Sequence, residues 1–483
     1  MANGLQQLYR SRPERLKKAL FFDSQTNNAL SSIKLGTEIT NTIIALNPEI
    51  GLLNLEYNKV YTYYYTRVTS SGGVVPAHSG GANTPNVNSK YNRLPLVMKA
   101  IKRKVPIAFF TEDAGQEGID VVQRELENQL LFHSWDINFY SMYGNVGANP
   151  YEFSGWDTWI PSANRTKYHT AGAPTVPTNL KFLDDMIAAS RRKGGVFHPR
   201  AIIMSPEMHQ LVGRLLTNVR VVSQFAAADG IPKGVYEPVT VNGGYLTYAY
   251  QGIPILESTF VGGLGAGTMA SISLASGGLT GGSFSDGTYY VRVEYLSRDG
   301  RSVASPEANI VLAGGGSTQK ISITVTPPTD ANGKYIAYKY RVYAGSTTGA
   351  ANTTLKREFP AFSYDSEGYP DVTSPVTTLT LTSLVADTTV TNTADGTDIS
   401  GDIPNTAVSS VNGENVYLID LDPVQGMGKY VYTHQSGSAM QGLVNVRQLA
   451  EVDAYSQFLL YTTGAIVPAF PDTSFVAQGL RVA

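Results

Sequence analysis

The feature that most strongly limits the possible folds of this chain is a long loop. It lies between two strand-like segments, and a helix follows the second segment. The aromatic run at residues 56–68 and the basic, β-branched run at 93–110 each predict a strand. Between them lies a Gly-, Ser-, Asn- and Pro-rich stretch at 69–92, and a helical pattern runs from about 115 to 143. Structureless loops of this length are uncommon in compact domains and are usually functional. The pattern therefore predicts an arm that reaches outward from a rigid helix and needs a neighbour to rest on.

The composition excludes several classes of protein. The chain has 483 residues, enough for two or three domains, and only 16% of them are charged, against roughly 25% in an average soluble protein. A surface with so little charge indicates extensive coverage by other subunits. The formal net charge is -2, so a protein that binds nucleic acid over its whole surface is not expected. Contact with nucleic acid should be local and nonspecific.

Cysteine is absent, which excludes disulfides, cysteine zinc sites and thiol nucleophiles. The basic N-terminal segment lacks the apolar core of a signal peptide, and no stretch approaches about 20 apolar residues. We therefore expect a soluble protein with no membrane association, made in the cytoplasm.

A mixed α+β module follows the long helix. Residues 179–192 have helical periodicity, the apolar run at 201–204 predicts a buried strand, and Ser205 before Pro206 is a helix N-cap signature. A strand pair then extends to about residue 261. Strand-like segments return after residue 405, so this α+β unit is predicted to be interrupted.

The interrupting segment, residues 262–405, has a different composition. It is dominated by Gly, Ser, Thr, Val and Tyr, and its apolar and polar residues alternate between turn signals such as RDGR and ANGK. This pattern predicts an inserted all-β sandwich of immunoglobulin-like or fibronectin type III-like character, attached through Gly-rich borders that could act as hinges.

No pattern for catalysis or cofactor binding is convincing. Residues 265–270 are a variant of the dinucleotide-binding fingerprint, but no amphipathic helix follows to hold a pyrophosphate, so a linker is favoured. The six histidines have no ligand spacing, and His133 is interpreted as a packed residue of the long helix. We expect no enzymatic activity, no catalytic or metal-binding residues and no cofactor.

Two basic runs are candidates for contact with charged partners. In the strand that ends the arm, Lys102 and Lys104 should share one face and Arg103 the other, and contacts with acidic groups of a neighbouring subunit are favoured over a DNA site. The N-terminal run either faces packaged nucleic acid or forms a solvated amphipathic helix, and the two readings are equally supported. Its basic residues are Arg10, Arg12, Arg15, Lys17 and Lys18.

The order of these parts resembles the major capsid proteins of tailed bacteriophages with the Hong Kong 97 (HK97) fold. The resemblance is one of architecture, carried by the arm, the long helix, the interrupted α+β unit and the C-terminal segment FLLYTTGAIVPAFPDTSFVAQGL. It implies the following division: an N-terminal arm at 1–56, an E-loop at 57–114, a spine helix and P-domain at 115–178, an A-domain at 179–261, an inserted immunoglobulin-like sandwich at 262–405, an A-domain return at 406–457 and a P-domain C-terminal strand at 458–483.

The resemblance also implies a function and partners. The protein would be a structural component of the virion, assembled in the host cytoplasm, that forms hexamers and pentamers of an icosahedral head around phage DNA. Its partners would be other copies of itself, portal and scaffolding proteins, decoration or cement proteins, and packaged double-stranded DNA in nonspecific contact. The candidate contacts between subunits are Tyr63, Tyr65, Arg67, Lys90, Arg93, Lys99, Lys102, Arg103, Lys104, Glu117, Asp120 and Glu125.

Two other functions remain open from the sequence. A phage tail or baseplate structural protein would share the low charge and the inserted sandwich. A secreted carbohydrate-binding protein with a fibronectin-like module would need a signal peptide, and none is visible.

Overall fold

The computed structural model describes most of the chain after residue 47. The described residues are 48–70, 90–108, 121–170, 173–174, 176–195, 198–224, 236–241, 245–262, 267–349, 354–365, 368–387, 389, 391–392, 397–399, 402, 404, 413–433, 443–449 and 455–481. The expected N-terminal arm up to residue 47, the loop at 71–89 and the segment at 109–120 lie outside them.

The helices of the described part are few and differ greatly in length. They are α1 (Pro48–Leu52), α2 (Val121–Tyr143), α3 (Trp156–Trp159), α4 (Lys181–Gly194) and α5 (Pro206–Gln224). The long helix predicted from the sequence is α2, which contains neither glycine nor proline and ends at Tyr143 as expected. At Gly144, which follows it, a Cβ atom would lie 2.1 Å from the Phe153 carbonyl oxygen, so only glycine fits there. Ser205 caps α5, since the Met208 backbone N–H donates to its Oγ at 3.1 Å.

Strands dominate the rest of the fold. Before the inserted segment they are β1 (Asn54–Tyr57), β2 (Thr62–Ser70), β3 (Lys90–Val97), β4 (Lys99–Ala108), β5 (Arg165–Lys167), β6 (His169–Thr170), β7 (Ala173–Pro174), β8 (Arg200–Met204), β9 (Tyr236–Val241), β10 (Tyr245–Tyr250) and β11 (Ile253–Glu257). Within it they are β12 (Ser273–Ser276), β13 (Gly287–Ser297), β14 (Gly300–Arg301), β15 (Ala308–Leu312), β16 (Ile321–Thr324), β17 (Lys339–Gly345), β18 (Thr354–Pro360), β19 (Phe362–Tyr364), β20 (Pro370–Pro375), β21 (Thr378–Leu381), β22 (Thr391–Asn392) and β23 (Thr397–Asp398). After it come β24 (Gly413–Asp420), β25 (Lys429–Thr433), β26 (Asn445–Gln448), β27 (Tyr455–Val467) and β28 (Phe475–Arg481).

The long helix packs on a five-stranded sheet. Its strands run in the order β1, β25, β27, β26, and β4 pairs with β27 along the opposite edge over ten residue pairs. The apolar side chains between α2 and this sheet form a core that includes Ile137, Phe139, Tyr430 and Ala465. A smaller cluster under β4 contains Val105, Leu126, Phe458 and Leu460. The sheet therefore fixes the direction of both the long helix and the strand that ends the arm.

A second, seven-stranded sheet forms the α+β unit. Its order is β5, β28, β24, β8, β11, β10, β9, and α4 and α5 pack on it through an apolar cluster that includes Leu183, Met208 and Ile255. The C-terminal segment, expected as a single unit at 458–483, is divided between the sheets, because β27 lies in the five-stranded sheet and β28 in this one. The return segment at 406–457 is divided in the same way, with β24 here and β25 and β26 in the other sheet. Because the chain alternates between the two sheets, neither sheet corresponds to one continuous segment of the sequence.

The described residues of the inserted segment form two larger antiparallel sheets and two short two-stranded ones, β19 with β20 and β22 with β23. One of the larger sheets contains β12, β16 and β21, and the other contains β14, β13, β17 and β18 with β15 added to β13. Side chains from both sheets, among them Val291, Ile323 and Val342, make a shared buried core. The predicted all-β sandwich is thus present, while its immunoglobulin-like topology stays a prediction. No helix in the described part of the chain has the length and apolar character needed to cross a membrane.

Candidate inter-subunit surfaces

The strands β2 and β3 form the hairpin that carries the predicted E-loop. They are antiparallel, with Tyr63 opposite Leu96 and Tyr65 opposite Leu94. These four side chains lie on one face and pack with Met98, Val431 and Val467 at the edge of the five-stranded sheet. Because side chains alternate along a strand, the partners in between face the other way. The hairpin is therefore anchored to the subunit by one face only.

The opposite face of the hairpin, which we call the outer face, consists of Thr62, Tyr64, Thr66, Arg93, Pro95 and Val97. Tyr64 is 53% exposed and Val97 is 51% exposed. The Arg93 guanidinium lies 4.5 Å from the centre of the Tyr64 ring, which holds this ring in place. Three further large side chains, Tyr57, Val60 and Tyr61, are exposed in the segment that leads into β2. Exposed large aromatic and apolar side chains grouped in one part of a chain are typical of a surface that another protein covers.

The basic run in β4 is divided between two faces, as the alternation predicts. Lys102 and Lys104 are exposed, whereas Arg103 turns toward α2 and forms an ion pair with Asp136. Lys104 lies opposite Leu459, and Arg447 of β26 lies opposite the same residue from the other side. The exposed side of the five-stranded sheet therefore has a cationic row that consists of Lys102, Lys104 and Arg447. No ion pair joins Lys104 or Arg447 to another described residue.

Several predicted contact residues are used within the subunit. Tyr65 is buried against the sheet, and Arg67 lies 3.6 Å from Asp472 in an ion pair. Arg103 shares Asp136 with Arg298 and Tyr338, so this carboxylate joins β4, α2 and the inserted sandwich. The sequence predicts these side chains at an interface because they are strand residues, some of them basic. It does not reveal which residues of the same chain they contact. They contribute to the fold of the subunit, and their contact with other subunits stays a prediction.

The remaining candidates are placed as follows. Tyr63 packs under the hairpin and lies near Lys429, with 3.4 Å between its hydroxyl and the Lys429 amine. Glu125 lies in the second turn of α2 and accepts a hydrogen bond from Gln129 at 2.7 Å. Lys90 and Lys99 occupy the first positions of β3 and β4. Glu117, Asp120 and the basic residues Arg10, Arg12, Arg15, Lys17 and Lys18 lie outside the described residues.

A buried ionic cluster joins the inserted sandwich to the rest of the subunit. The Arg341 guanidinium of β17 contacts Asp157 of α3 at 2.8 Å, Glu358 at 2.7 Å and Asp402 at 2.9 Å. Asp157 also binds Arg165 at 3.0 Å. Burial alone would raise the pKa of Asp157, but the charges of Arg165 and Arg341 outweigh burial and hold this pKa well below its usual range. The sandwich is thus joined to the body by a buried charge cluster. The Gly-rich borders predicted as hinges include residues 263–266 and 393–396, which lie outside the described residues.

This cluster could not be predicted from the sequence. Its members are spread over the inserted segment and the region after α2, and single charged residues in strands give no local signal of burial. One signal of the cluster is the presence of charged residues at strand positions that are otherwise apolar. Such residues are rare unless their charges are paired. Among the described residues, no group of three or more histidine or acidic side chains could hold a metal ion.

Comparisons with known proteins give structural neighbours only. No protein-family model matches the sequence, and no curated protein matches it. The SrpI encapsulin complex of Synechococcus elongatus PCC 7942 is similar at 10% identity and a TM-score of 0.40, over 90% of this chain and 87% of that one. The capsid of cyanophage P-SCSP1u is similar at 9% identity and 0.37, over 95% and 93%.

A third neighbour is the procapsid of satellite phage P4, which includes the size determination protein, at 7% identity and a TM-score of 0.37 over 99% of this chain and 98% of that one. Because all three TM-scores lie below 0.5, we base the functional conclusion on the geometry of this chain. The three neighbours are an encapsulin complex, a phage capsid and a phage procapsid.

Proposed function

We propose that this chain is a major capsid protein whose copies assemble into hexamers and pentamers of an icosahedral phage head. The observation that carries this proposal is the outer face of the β2–β3 hairpin. It presents Tyr64, Val97 and Arg93 on an element that is anchored to its own subunit by the other face alone. The role is structural, and no catalytic step is part of it.

A second copy of the chain is the occupant that this face fits best. A two-stranded hairpin is marginally stable alone, so one that extends beyond the body gains stability when a neighbour covers it. Covering Tyr64 and Val97 removes apolar surface from water, which favours association in proportion to the area buried. If the same contact repeats around a closed ring of copies, every hairpin is covered by the next copy.

The cationic row on the five-stranded sheet supports the same arrangement. Lys102, Lys104 and Arg447 are exposed on one face, and an acidic surface on another copy would complement them. Charge pairing of this kind would set the register between copies, while apolar contact at the hairpin would supply most of the affinity.

The wider partners are also part of the proposal. A capsid protein of this design acts in the virion with portal, scaffolding and cement proteins, and encloses double-stranded DNA through nonspecific contacts. The near-neutral net charge of -2 supports weak rather than extensive contact with DNA.

The mass of the particles formed by the full chain tests the proposal. The chain is expressed alone and together with its scaffolding protein, and the products are separated by sedimentation and weighed. We expect particles whose mass corresponds to rings of five or six copies or to a closed shell of many copies. A single monomeric species at every concentration and in both expressions would overturn the proposal.

A further inference from the structure

A buried lysine, a glutamate and an asparagine meet where the inserted sandwich joins the loop after α2. The amine of Lys339 in β17 lies 2.5 Å from Oε2 of Glu152. The other carboxylate oxygen of Glu152, Oε1, accepts a hydrogen bond from the Asn149 side-chain amide at 3.0 Å. A single carboxylate therefore bridges an amine and an amide.

The cluster is sealed from water. Lys339 is 0% exposed, Asn149 is 2% exposed and Glu152 is 6% exposed. The Tyr143 carbonyl at the end of α2 accepts a hydrogen bond from the Lys339 amine at 2.8 Å, which fixes the position of Nζ. Burial, and then the charge of Glu152, raise the pKa of Tyr364, so this neighbouring phenol stays neutral. Burial also raises the pKa of Glu152 against the opposing effect of Lys339, which makes the carboxyl group easier to protonate.

We propose that Lys339 and Asn149 of the same chain become joined by an isopeptide bond, with Glu152 as the acid–base group. Three features support a reaction over a simple buried ion pair. The amine and the amide share one carboxylate, both are immobilised, and the site excludes water, which would otherwise solvate the amine. Because Glu152 holds the amine and the amide in one site, no additional molecule is needed to bring them together.

The proposed step balances without an oxidant or any other reagent. The Lys339 ammonium gives a proton to Oε2 of Glu152, and the neutral Nζ attacks Cγ of Asn149, so that the Nζ–Cγ bond forms and the carbonyl electron pair moves to Oδ1. The Glu152 carboxyl then donates its proton to Nδ2. The carbonyl re-forms, the Cγ–Nδ2 bond breaks and ammonia leaves, while the remaining extra proton on Nζ returns to Glu152. The contacts of Oε2 with the amine and of Oε1 with the amide place Glu152 for both transfers.

The amide oxygen has a donor that favours this step. The Tyr151 backbone N–H donates to Oδ1 of Asn149 at 3.1 Å, where negative charge would develop during the attack. The other nearby asparagine, Asn145, is less suitable as the reacting group. Its side-chain amide donates to Oε2 of Glu358 and to the Thr389 carbonyl, and only its backbone N–H reaches Glu152.

Such a bond would tie the sandwich to the body of the subunit covalently. Cross-linking two residues that are far apart in sequence removes conformations from the unfolded chain, as a disulfide does. This chain has no cysteine, so an isopeptide bond would be its means of covalent stabilisation.

Mass spectrometry of the full-length protein under denaturing conditions tests the proposal. We expect a mass lower than that of the sequence by one ammonia, and a tryptic map in which cleavage after Lys339 is lost and Lys339 and Asn149 occur in one branched peptide. The map also excludes cyclic imides, which lose ammonia at Asn-Gly sequences. Asn149 cannot form such an imide, because Pro150 follows it and has no backbone N–H. A wild-type protein with the full sequence mass and cleavage after Lys339 would overturn the proposal.

A pair of variants tests the part played by Glu152. We expect Glu152→Gln to keep the full sequence mass, since glutamine cannot carry protons between the two nitrogens. The matched control is Glu49→Gln, because Glu49 is also buried and accepts a hydrogen bond from Asn138 at 3.2 Å but has no ion pair with a lysine among the described residues. This control should show the same loss of ammonia as the wild type. A branched peptide in Glu152→Gln would contradict the assigned role, and if that variant does not fold, the wild-type map decides the existence of the bond.

Discussion

Arg341 is the residue on which the joint between the sandwich and the body depends most. Its guanidinium is buried and contacts carboxylates from both parts of the chain, Asp157 from the body and Glu358 and Asp402 from the inserted segment. Since burying these charges is costly, the cluster stabilises the fold only while it is complete. The residue is therefore sensitive to substitution in a way that an exposed arginine is not.

Replacement of this side chain should destabilise the subunit strongly. We expect Arg341→Met to lower the free energy of unfolding by about 3–5 kcal/mol, because the buried carboxylates of Asp157, Glu358 and Asp402 would each lose their contact with this buried counter-charge. Urea unfolding of the unassembled subunit measures the change. The control is Lys181→Met, which breaks an exposed pair with Asp185 and should cost less than about 1 kcal/mol. Equal effects of the two substitutions would contradict a structural role for the cluster.

His133 is a second buried polar residue, in the middle of α2. It is 0% exposed, and its Nε2 lies 3.0 Å from the Thr462 hydroxyl of β27. Burial lowers its pKa to about 4, so the folded subunit holds the imidazole neutral. Below the ordinary histidine pKa the unfolded chain binds a proton that the folded chain does not. The resulting loss of stability grows as the pH falls from about 6.5 to about 4 and then stays constant.

A variant without a titratable group at this position should lose that pH dependence. We expect the wild type to lose about 2 kcal/mol more than His133→Gln when the pH falls from about 7 to about 5. Unfolding of both proteins at the two pH values measures the difference, and contributions from carboxylates cancel in the comparison. The same pH dependence in both proteins would show that His133 is not held neutral by the fold.

At the scale of elements, local patterns were sufficient to predict much of the fold. The aromatic alternation of β2, the apolar periodicity of α2 and the cap at Ser205 are all local signals, and these elements occur where the sequence indicates them. The strands predicted at 56–68 and 93–110 are each divided in the structure, the first between β1 and β2 and the second between β3 and β4. The inserted sandwich was also predictable, because its turn signals and alternating strands differ in composition from the segments on either side.

Contacts between elements could not be predicted in the same way. Lys339 meets Glu152, and Arg341 meets Asp157, across nearly two hundred positions of sequence, and no local pattern encodes such pairs. The Gly-rich borders therefore suggested a hinge, while the buried contacts that join the sandwich to the body could not be read from the sequence. Similarly, the inward turn of Arg103 depends on Asp136 lying beneath β4, which only the packing of α2 on the sheet determines.

The β2–β3 hairpin gives a prediction at the same scale. We expect Tyr64→Lys to reduce assembly at least tenfold while it changes the stability of the free subunit by less than about 0.5 kcal/mol, because the ring is exposed in the subunit. Light scattering during assembly and urea unfolding measure the two effects.

The control substitution is Val385→Lys, at a residue of the inserted segment that is 75% exposed. It should leave assembly unchanged, since Val385 lies outside the proposed contact surface. Unimpaired assembly of the Tyr64→Lys protein would exclude the outer face of the hairpin as an interface.

At the scale of the whole molecule, two sheets, one long helix and a sandwich form a single connected body. The chain alternates between the sheets, and Asp136 and Arg341 join the sandwich to both α2 and α3. The hairpin, by contrast, is held by one face. A connected body with a hairpin held by one face is suited to a shell, in which the body sets the shape and the hairpin joins neighbours.

Electron microscopy of the assembled full-length chain, with a reconstruction detailed enough to place one subunit in the density, is the most direct test of this arrangement. The account predicts closed shells built from rings of five and six copies, with the outer face of each β2–β3 hairpin in contact with the next copy. Discrete monomers, open tubes, or shells in which Tyr64 and Val97 remain exposed to solvent would contradict it.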